Sequence, residues 1–169
     1  MTRFALTGLA GYIAPRHLKA IKEVGGVLVA SLDPAPNVGL VDSFFPEAEF
    51  FTEPEAFEAY LEDLRDRGEG VDYLSIASPN HLHYPQIRMA LRLGANALSE
   101  KPLVLWPEEI ARLKELEART GRRVYTVLQL RVHPSLLALK ERLGQEKGAK
   151  DVVLTYVTGR GKWYGKSWK

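Results

Sequence analysis

Short apolar segments alternate with longer segments of helical period from the amino terminus to about residue 130. The apolar segments predict six strands, at residues 4–7, 27–32, 49–51, 71–77, 95–99 and 124–129. Most of them are continuously apolar, as expected of parallel strands with helices on both faces of the sheet. The pattern therefore predicts an α/β fold with a doubly wound parallel sheet, the Rossmann architecture.

Two of the intervening helices have clear sequence signals at their ends. Thr52 and Glu55 form a capping box, which predicts a helix with Thr52 as its N-cap. Pro107 is placed to open another helix, and Gly121 is placed to end it.

The pattern changes after residue 130. A helix is predicted at 134–143 and an alternating strand at 151–158, before a basic and aromatic end at 160–169. We expect residues 1–130 to form a dinucleotide-binding domain and residues 131–169 to be the incomplete start of a second α+β lobe that would hold substrate. The basic aromatic end fits such a lobe better than a platform for single-stranded nucleic acid.

The first predicted strand leads into a turn of small residues. Gly8, Ala10 and Gly11 leave room for backbone amides, including those of Tyr12 and Ile13, to approach a diphosphate at the start of a helix. Asp33 ends the second strand, where a carboxylate would bind the adenosine ribose and repel a 2′-phosphate. The turn and the acid predict NAD in preference to NADP, with an S-adenosylmethionine-dependent methyltransferase as the chemical alternative.

Polar residues follow the fourth and fifth predicted strands. The fourth leads into Ser78-Pro79-Asn80-His81-Leu82-His83 and the fifth into Glu100-Lys101-Pro102. Ligands of doubly wound sheets bind at such strand ends, so we expect Lys101 to carry the chemistry, with Glu100 positioning it or binding the nicotinamide ribose. His81 and His83, taken as part of an extended loop, would point to opposite sides, so no metal site is predicted.

Composition narrows the classes of function. The 169 residues include 23 Lys and Arg against 21 Asp and Glu, a balance that argues against nucleic acid or membrane as the main partner. Cysteine is absent, which excludes disulfides and thiolate chemistry. No apolar run approaches the length of a membrane span, and we expect a cytoplasmic location.

The glycine turn, the Ser78-Pro79-Asn80-x-x-His83 segment and Glu100-Lys101-Pro102 together resemble the Gfo/Idh/MocA family of NAD(P)-dependent sugar oxidoreductases. More narrowly, Ala14-Pro15-Arg16-His17, Gln129-Leu130-Arg131 and the segment from Thr158 to Lys169 are similar to the bacterial UDP-N-acetylglucosaminuronate 3-dehydrogenases of lipopolysaccharide O-antigen assembly.

This resemblance implies NAD-dependent oxidation of C3 of a nucleotide-linked uronic acid, with 2-oxoglutarate reoxidising the cofactor. Lys101 matches the family's catalytic lysine and would also contact substrate. The resemblance assigns cofactor binding to Gly8, Gly11, Tyr12, Ile13, Asp33, Ser78, Asn80, His83, Glu100, Lys101 and Gln129. It assigns substrate binding to Arg131, Arg160, Trp163, Tyr164 and Trp168.

Family members continue beyond this length into an open antiparallel sheet that carries the oligomer interface. The resemblance therefore implies a homodimer or homotetramer assembled through a sheet that lies outside these 169 residues. The non-enzymatic alternative is an NAD-binding module without catalysis.

Overall fold

Six parallel strands form one sheet, in the order β3-β2-β1-β4-β5-β6, in the computed structural model of the chain. The structure describes residues 1–36, 38–157 and 159. The strands are β1 (Arg3–Thr7), β2 (Val27–Leu32), β3 (Glu49–Phe51), β4 (Tyr73–Ile76), β5 (Asn96–Ser99) and β6 (Val124–Thr126). The doubly wound Rossmann sheet predicted from the sequence is confirmed, and the strand order reverses between β1 and β4.

Helices cover both faces of this sheet. They are α1 (Ala14–Glu23), α2 (Val38–Phe44), α3 (Pro54–Asp66), α4 (Asn80–Arg92), α5 (Glu108–Thr120) and α6 (Pro134–Gln145), with a short 3-10 helix at Gln129–Val132. The helices α1 and α2 bury Leu18 and Val41 in one apolar cluster, and α3 and α4 bury Phe57 and Ile87 in the other. Continuous apolar strands thus have a core on each side, as their sequence predicts.

The chain forms two compact units, one from Met1 to Val127 and one beginning at Leu128. The sheet and helices α1 to α5 lie in the first unit. The second unit contains the 3-10 helix and α6, which confirms the helix predicted at 134–143.

Three local expectations are wrong. Glu53, with an extended backbone, is the N-cap of α3 and makes no side-chain capping bond, so Glu55 lies one position too early for the predicted capping box. Residues 151–157 form no strand, because no described strand of that unit offers backbone partners to Val153 or its neighbours. The strand predicted at 124–129 ends at Thr126.

Candidate functional site

The carboxyl ends of β1, β4 and β5 lie side by side where the strand order reverses. They lead respectively into the turn that begins at Gly8, the segment that begins at Ala77, and the Glu100-Lys101 pair. This is the edge at which doubly wound sheets bind ligands. The structure therefore brings together the three segments that the sequence singled out separately.

Gly8 lies in direct contact with the backbone that leaves β4. Its φ is +81°, and a Cβ atom there would lie 2.5 Å from the carbonyl carbon of Ala77 and from the amide nitrogen of Ser78. Gly11 is also confined, since a Cβ would lie 3.0 Å from the Gly8 carbonyl oxygen. Both glycines are needed so that the turn can pass close to its neighbours.

The turn leaves two backbone amides free for a ligand. The Gly8 N–H donates to the Leu32 carbonyl at 2.9 Å and the Gly11 N–H donates to the Gly8 carbonyl at 3.0 Å. In contrast, the amides of Tyr12 and Ile13 have no hydrogen-bond acceptor among residues 1–36, 38–157 and 159. These amides immediately precede α1, whose first turn has no acidic residue, so they form a fitting cradle for a diphosphate.

Asp33 is tied to the same turn. Its Oδ2 accepts a hydrogen bond from the Ala10 N–H at 2.8 Å, and its Oδ1 accepts one from the Ala35 N–H at 2.9 Å. Each carboxylate oxygen keeps a further lone pair, so the group can still accept from the two hydroxyls of a ribose. These two hydrogen bonds therefore orient the carboxylate.

The segment after β4 is held by a glutamine and a histidine of α4. The hydroxyls of Thr7 and Ser78 both donate to Gln86 Oε1, at 2.8 and 2.6 Å. The His83 ring is 1% exposed, and its nitrogens lie 2.7 Å from the Pro102 carbonyl and 2.9 Å from the Ser78 carbonyl. These contacts connect the ends of β1, β4 and β5 through α4.

Glu100 directs both carboxylate oxygens into the protein. Oε1 lies 3.3 Å from Nε2 of His17, and Oε2 accepts the Lys101 backbone N–H at 3.3 Å. Lys101 itself is exposed, and its ammonium makes no hydrogen bond or ion pair to another residue that the structure describes. Of the two roles expected for Glu100, this geometry favours the positioning of Lys101.

The environment of Glu100 keeps it ionised. Its burial opposes ionisation and by itself would raise the pKa, but the hydrogen bond and charge of His17, together with Lys101, hold the pKa below the usual 4.5. An ionised carboxylate only accepts hydrogen bonds, which matches the two donors that face it.

The remaining predicted residues fall in three places. Asn80 is the first residue of α4, and its side chain makes no hydrogen bond to another described residue. Gln129 and Arg131 lie on the 3-10 helix of the second compact unit. The four further predicted substrate residues, Arg160, Trp163, Tyr164 and Trp168, lie outside the described residues.

His81 and His83 lie on α4 and not on an extended loop as expected. Two positions apart on a helix they still face different directions, and the part of the chain that the structure describes contains no group of side chains suited to a metal ion. Nor does any helix among the described residues have the length and apolar character to cross a membrane.

Sequence reasoning missed the polar groups behind the site. Thr7 and Ser75 are fully buried in strands, and Gln86 lies on a helix whose other polar side chains are mostly exposed. A polar residue inside an otherwise apolar strand is the signal that could have identified the first two, because buried hydroxyls need partners.

Most of the chain matches the model of one protein family. The Gfo/Idh/MocA model, described as an oxidoreductase family with an NAD-binding Rossmann fold, matches residues 2–128. An uncharacterized oxidoreductase of Rhizobium meliloti, ORF334, is 31% identical over 137 residues, which are 79% of this chain and 38% of that protein.

Solved structures give a much higher identity. The WlbA (WbpB) dehydrogenase from Thermus thermophilus, in complex with NAD and UDP-GlcNAcA, is 99% identical with a TM-score of 0.95 over 99% of this chain and 55% of that one. The same dehydrogenase in complex with NAD and alpha-ketoglutarate has a TM-score of 0.94, with 99% identity over 99% of this chain and 54% of that one. The chain thus spans little more than half the length of the protein in these structures.

Proposed function

Because the chain belongs to the Gfo/Idh/MocA family of oxidoreductases with an NAD-binding Rossmann fold, we propose that it is the cofactor-binding part of an NAD-dependent dehydrogenase. The reaction is the oxidation of the C3 hydroxyl of UDP-N-acetylglucosaminuronate to a ketone. The observation that carries the proposal is the cradle formed by the free amides of Tyr12 and Ile13 beside the carboxylate of Asp33. The sugar is inferred from the 99% identity to a dehydrogenase solved with UDP-GlcNAcA.

The residues present fit NAD. The amides of Tyr12 and Ile13 would hold the diphosphate, where Gly8 and Gly11 keep side chains out of its path. Asp33 would accept hydrogen bonds from the adenosine ribose, and its charge would repel the 2′-phosphate of NADP. Ser78 and Asn80 would contact the middle of the dinucleotide, with His83 fixing the Ser78 carbonyl.

The chemistry requires a hydride to leave C3 and a proton to leave the hydroxyl of the same carbon. Bound NAD supplies the hydride acceptor. Lys101 would donate a hydrogen bond to the sugar hydroxyl and assist loss of its proton as the carbonyl forms. Its exposed ammonium, free of partners among the described residues, suits that role, while Glu100 holds the Lys101 backbone in place.

The rest of the proposal concerns the complete protein. Arg131, Gln129 and the residues at 160, 163, 164 and 168 would contribute to the sugar and nicotinamide sites. We also propose that 2-oxoglutarate reoxidises the cofactor, in line with the alpha-ketoglutarate complex of the similar dehydrogenase. We place the reaction in the cytoplasm, in O-antigen sugar synthesis, and the enzyme in a homodimer or homotetramer.

Steady-state oxidation by the complete protein that carries this chain tests the proposal. NADH absorbance should rise when UDP-N-acetylglucosaminuronate and NAD are added, and Lys101→Met should lower kcat by about two to four powers of ten. Lys114→Met, at an exposed lysine of α5, is the matched control and should keep the wild-type rate.

Two outcomes would contradict the proposal. Binding of NAD without turnover of the sugar would favour an NAD-binding module without catalysis. Calorimetric preference for S-adenosylmethionine over NAD would support the methyltransferase alternative, which the match to an oxidoreductase family does not favour.

A further inference from the structure

Two buried polar side chains and one partly buried carboxylate connect helix α1 to β4 and to the end of β5. Nδ1 of His17 lies 2.7 Å from the hydroxyl oxygen of Ser75, and Nε2 lies 3.3 Å from Oε1 of Glu100. The exposed fractions of the His17 and Glu100 side chains are 7% and 14%, and Ser75 is fully buried. In this low-dielectric setting each contact restricts the geometry of the next.

The direction of these hydrogen bonds follows from the charge of Glu100. Because the ionised carboxylate can only accept, Nε2 of His17 is the donor in the contact with Oε1. The other oxygen, Oε2, accepts the backbone N–H of Lys101. His17 therefore fixes one end of a carboxylate whose other end fixes the peptide that carries the lysine.

We propose that His17 is a positioning residue for Lys101, acting through the Glu100 carboxylate, so that its loss lowers the rate of the chemical step and leaves NAD affinity largely intact. The inference rests on the function proposed above and extends it to a residue to which that function assigns no contact with substrate or cofactor.

The physical reason lies in what Glu100 would do without its histidine. A buried carboxylate that loses one of two donors is undersolvated, and rotation of the side chain toward water would relieve this at the expense of the Lys101 N–H contact. The backbone of Lys101 would then lose one of the contacts that fix it, and small misplacements of a reacting group have large effects on rate. The amides of Tyr12 and Ile13 lie before α1 and do not depend on Glu100, so the diphosphate cradle would persist.

Two amide substitutions separate this role from a purely structural one. In His17→Gln the side-chain amide can reach the position of Nε2 and still donate to Glu100. In His17→Asn the shorter side chain places its amide near the position of Nδ1, where it reaches Ser75 and not Glu100. Both variants remove the ring, so they differ chiefly in the contact that the proposal needs.

The complete protein should show a kcat about 10- to 100-fold lower in His17→Asn. His17→Gln should recover most of that loss, and calorimetry should give both variants a Kd for NAD close to wild type. A carbon-13 titration of the Glu100 carboxyl provides a readout that does not depend on activity. His17 and Lys101 are the ionisable groups that lower the pKa of this carboxyl. The pKa of Glu100 should therefore rise in both variants, and it should rise more in His17→Asn, because His17→Gln loses the charge of the histidine but keeps a hydrogen bond to the carboxylate.

A double-mutant comparison completes the test. If His17 acts through the carboxylate, His17→Asn should reduce kcat much less in a Glu100→Gln background than in the wild type. Equal losses in both backgrounds, or equal kcat in the Asn and Gln variants, would overturn the proposal. Ser75→Ala removes the partner of Nδ1 but keeps the contact between His17 and Glu100, so its kcat should stay near the wild-type value. This comparison, together with His17→Gln, keeps the proposal testable if His17→Asn does not fold. A wild-type protein without sugar oxidation would instead refute the proposed function, because the His17 comparison requires an active parent.

Discussion

Replacement of Gly8 by alanine tests the close contact on which the diphosphate turn depends. The new Cβ would lie 2.5 Å from three backbone atoms of Ala77 and Ser78, and backbone atoms cannot rotate away as a side chain can. The two segments would have to separate by roughly 1 Å to reach ordinary van der Waals contact. That displacement would carry the turn away from the end of β4.

The loss of unfolding free energy expected in Gly8→Ala has two parts, and the control Gly121→Ala separates them. Gly121 ends α5 with φ of +69°, and a Cβ there would meet nothing within 4 Å. Alanine at either position costs about 1–2 kcal/mol for the left-handed backbone. Gly8→Ala adds about 1–3 kcal/mol for the forced separation, a cost typical of overpacking.

Urea denaturation and calorimetry with NAD measure the two consequences. We expect Gly8→Ala to lower the free energy of unfolding by about 2–5 kcal/mol and to weaken NAD binding about 100-fold, as a displacement near 1 Å would do to an aligned site. Gly121→Ala should lose only the backbone contribution and keep the wild-type Kd for NAD. A Gly8→Ala protein that binds NAD as tightly as the Gly121→Ala control would refute this account of the turn.

Three further predictions concern the other segments of the site. Asp33→Ala should weaken NAD binding about 10- to 100-fold, the value of a charged hydrogen bond, and should narrow the preference for NAD over NADP when both are titrated by calorimetry. His83→Leu removes the ring that contacts the carbonyls of Ser78 and Pro102, so a buried carbonyl loses its N–H donor and the free energy of urea unfolding should fall by about 1–3 kcal/mol. The control His81→Leu, at an exposed position of the same helix, should change this free energy by less than about 0.5 kcal/mol. Because the pKa of Glu100 is lowered by folding, its charge stabilises the protein above pH 4.5, and this contribution is lost as the pH falls through the folded-state pKa. The difference in unfolding free energy between wild type and Glu100→Gln should therefore shrink below pH 4.5, and a difference that grows on acidification would contradict this sign.

Local patterns in the sequence were sufficient to predict most of the sheet. Short apolar segments identified all six strands, most clearly the central ones, which have an apolar cluster on each face of the sheet. The turn at Gly8 and the acid at Asp33 were also predictable, since they adjoin strand ends and their spacing is that of a dinucleotide site. The helix α2, with seven residues, was too short to give a clear period.

Contacts between distant segments could not be predicted in this way. The sequence around His17 does not identify its partners, because Ser75 and Glu100 lie 58 and 83 residues further along the chain. Only the strand order brings them together. The predicted strand at 151–158 shows the opposite error, since its alternating pattern was correct for a strand but pairing needs a neighbour that the pattern does not supply.

The hydrogen bond from Ala10 to Asp33 has a consequence for cofactor engineering. Exchange of the acid for an apolar or basic side chain, which would lift the repulsion of a phosphorylated ribose, would also remove the acceptor that orders the Ala10 amide. A redesign confined to residue 33 would therefore loosen the loop beneath the phosphates of whichever dinucleotide it was meant to admit. Reversal of specificity in this protein calls for a paired change that supplies a new acceptor to residue 10.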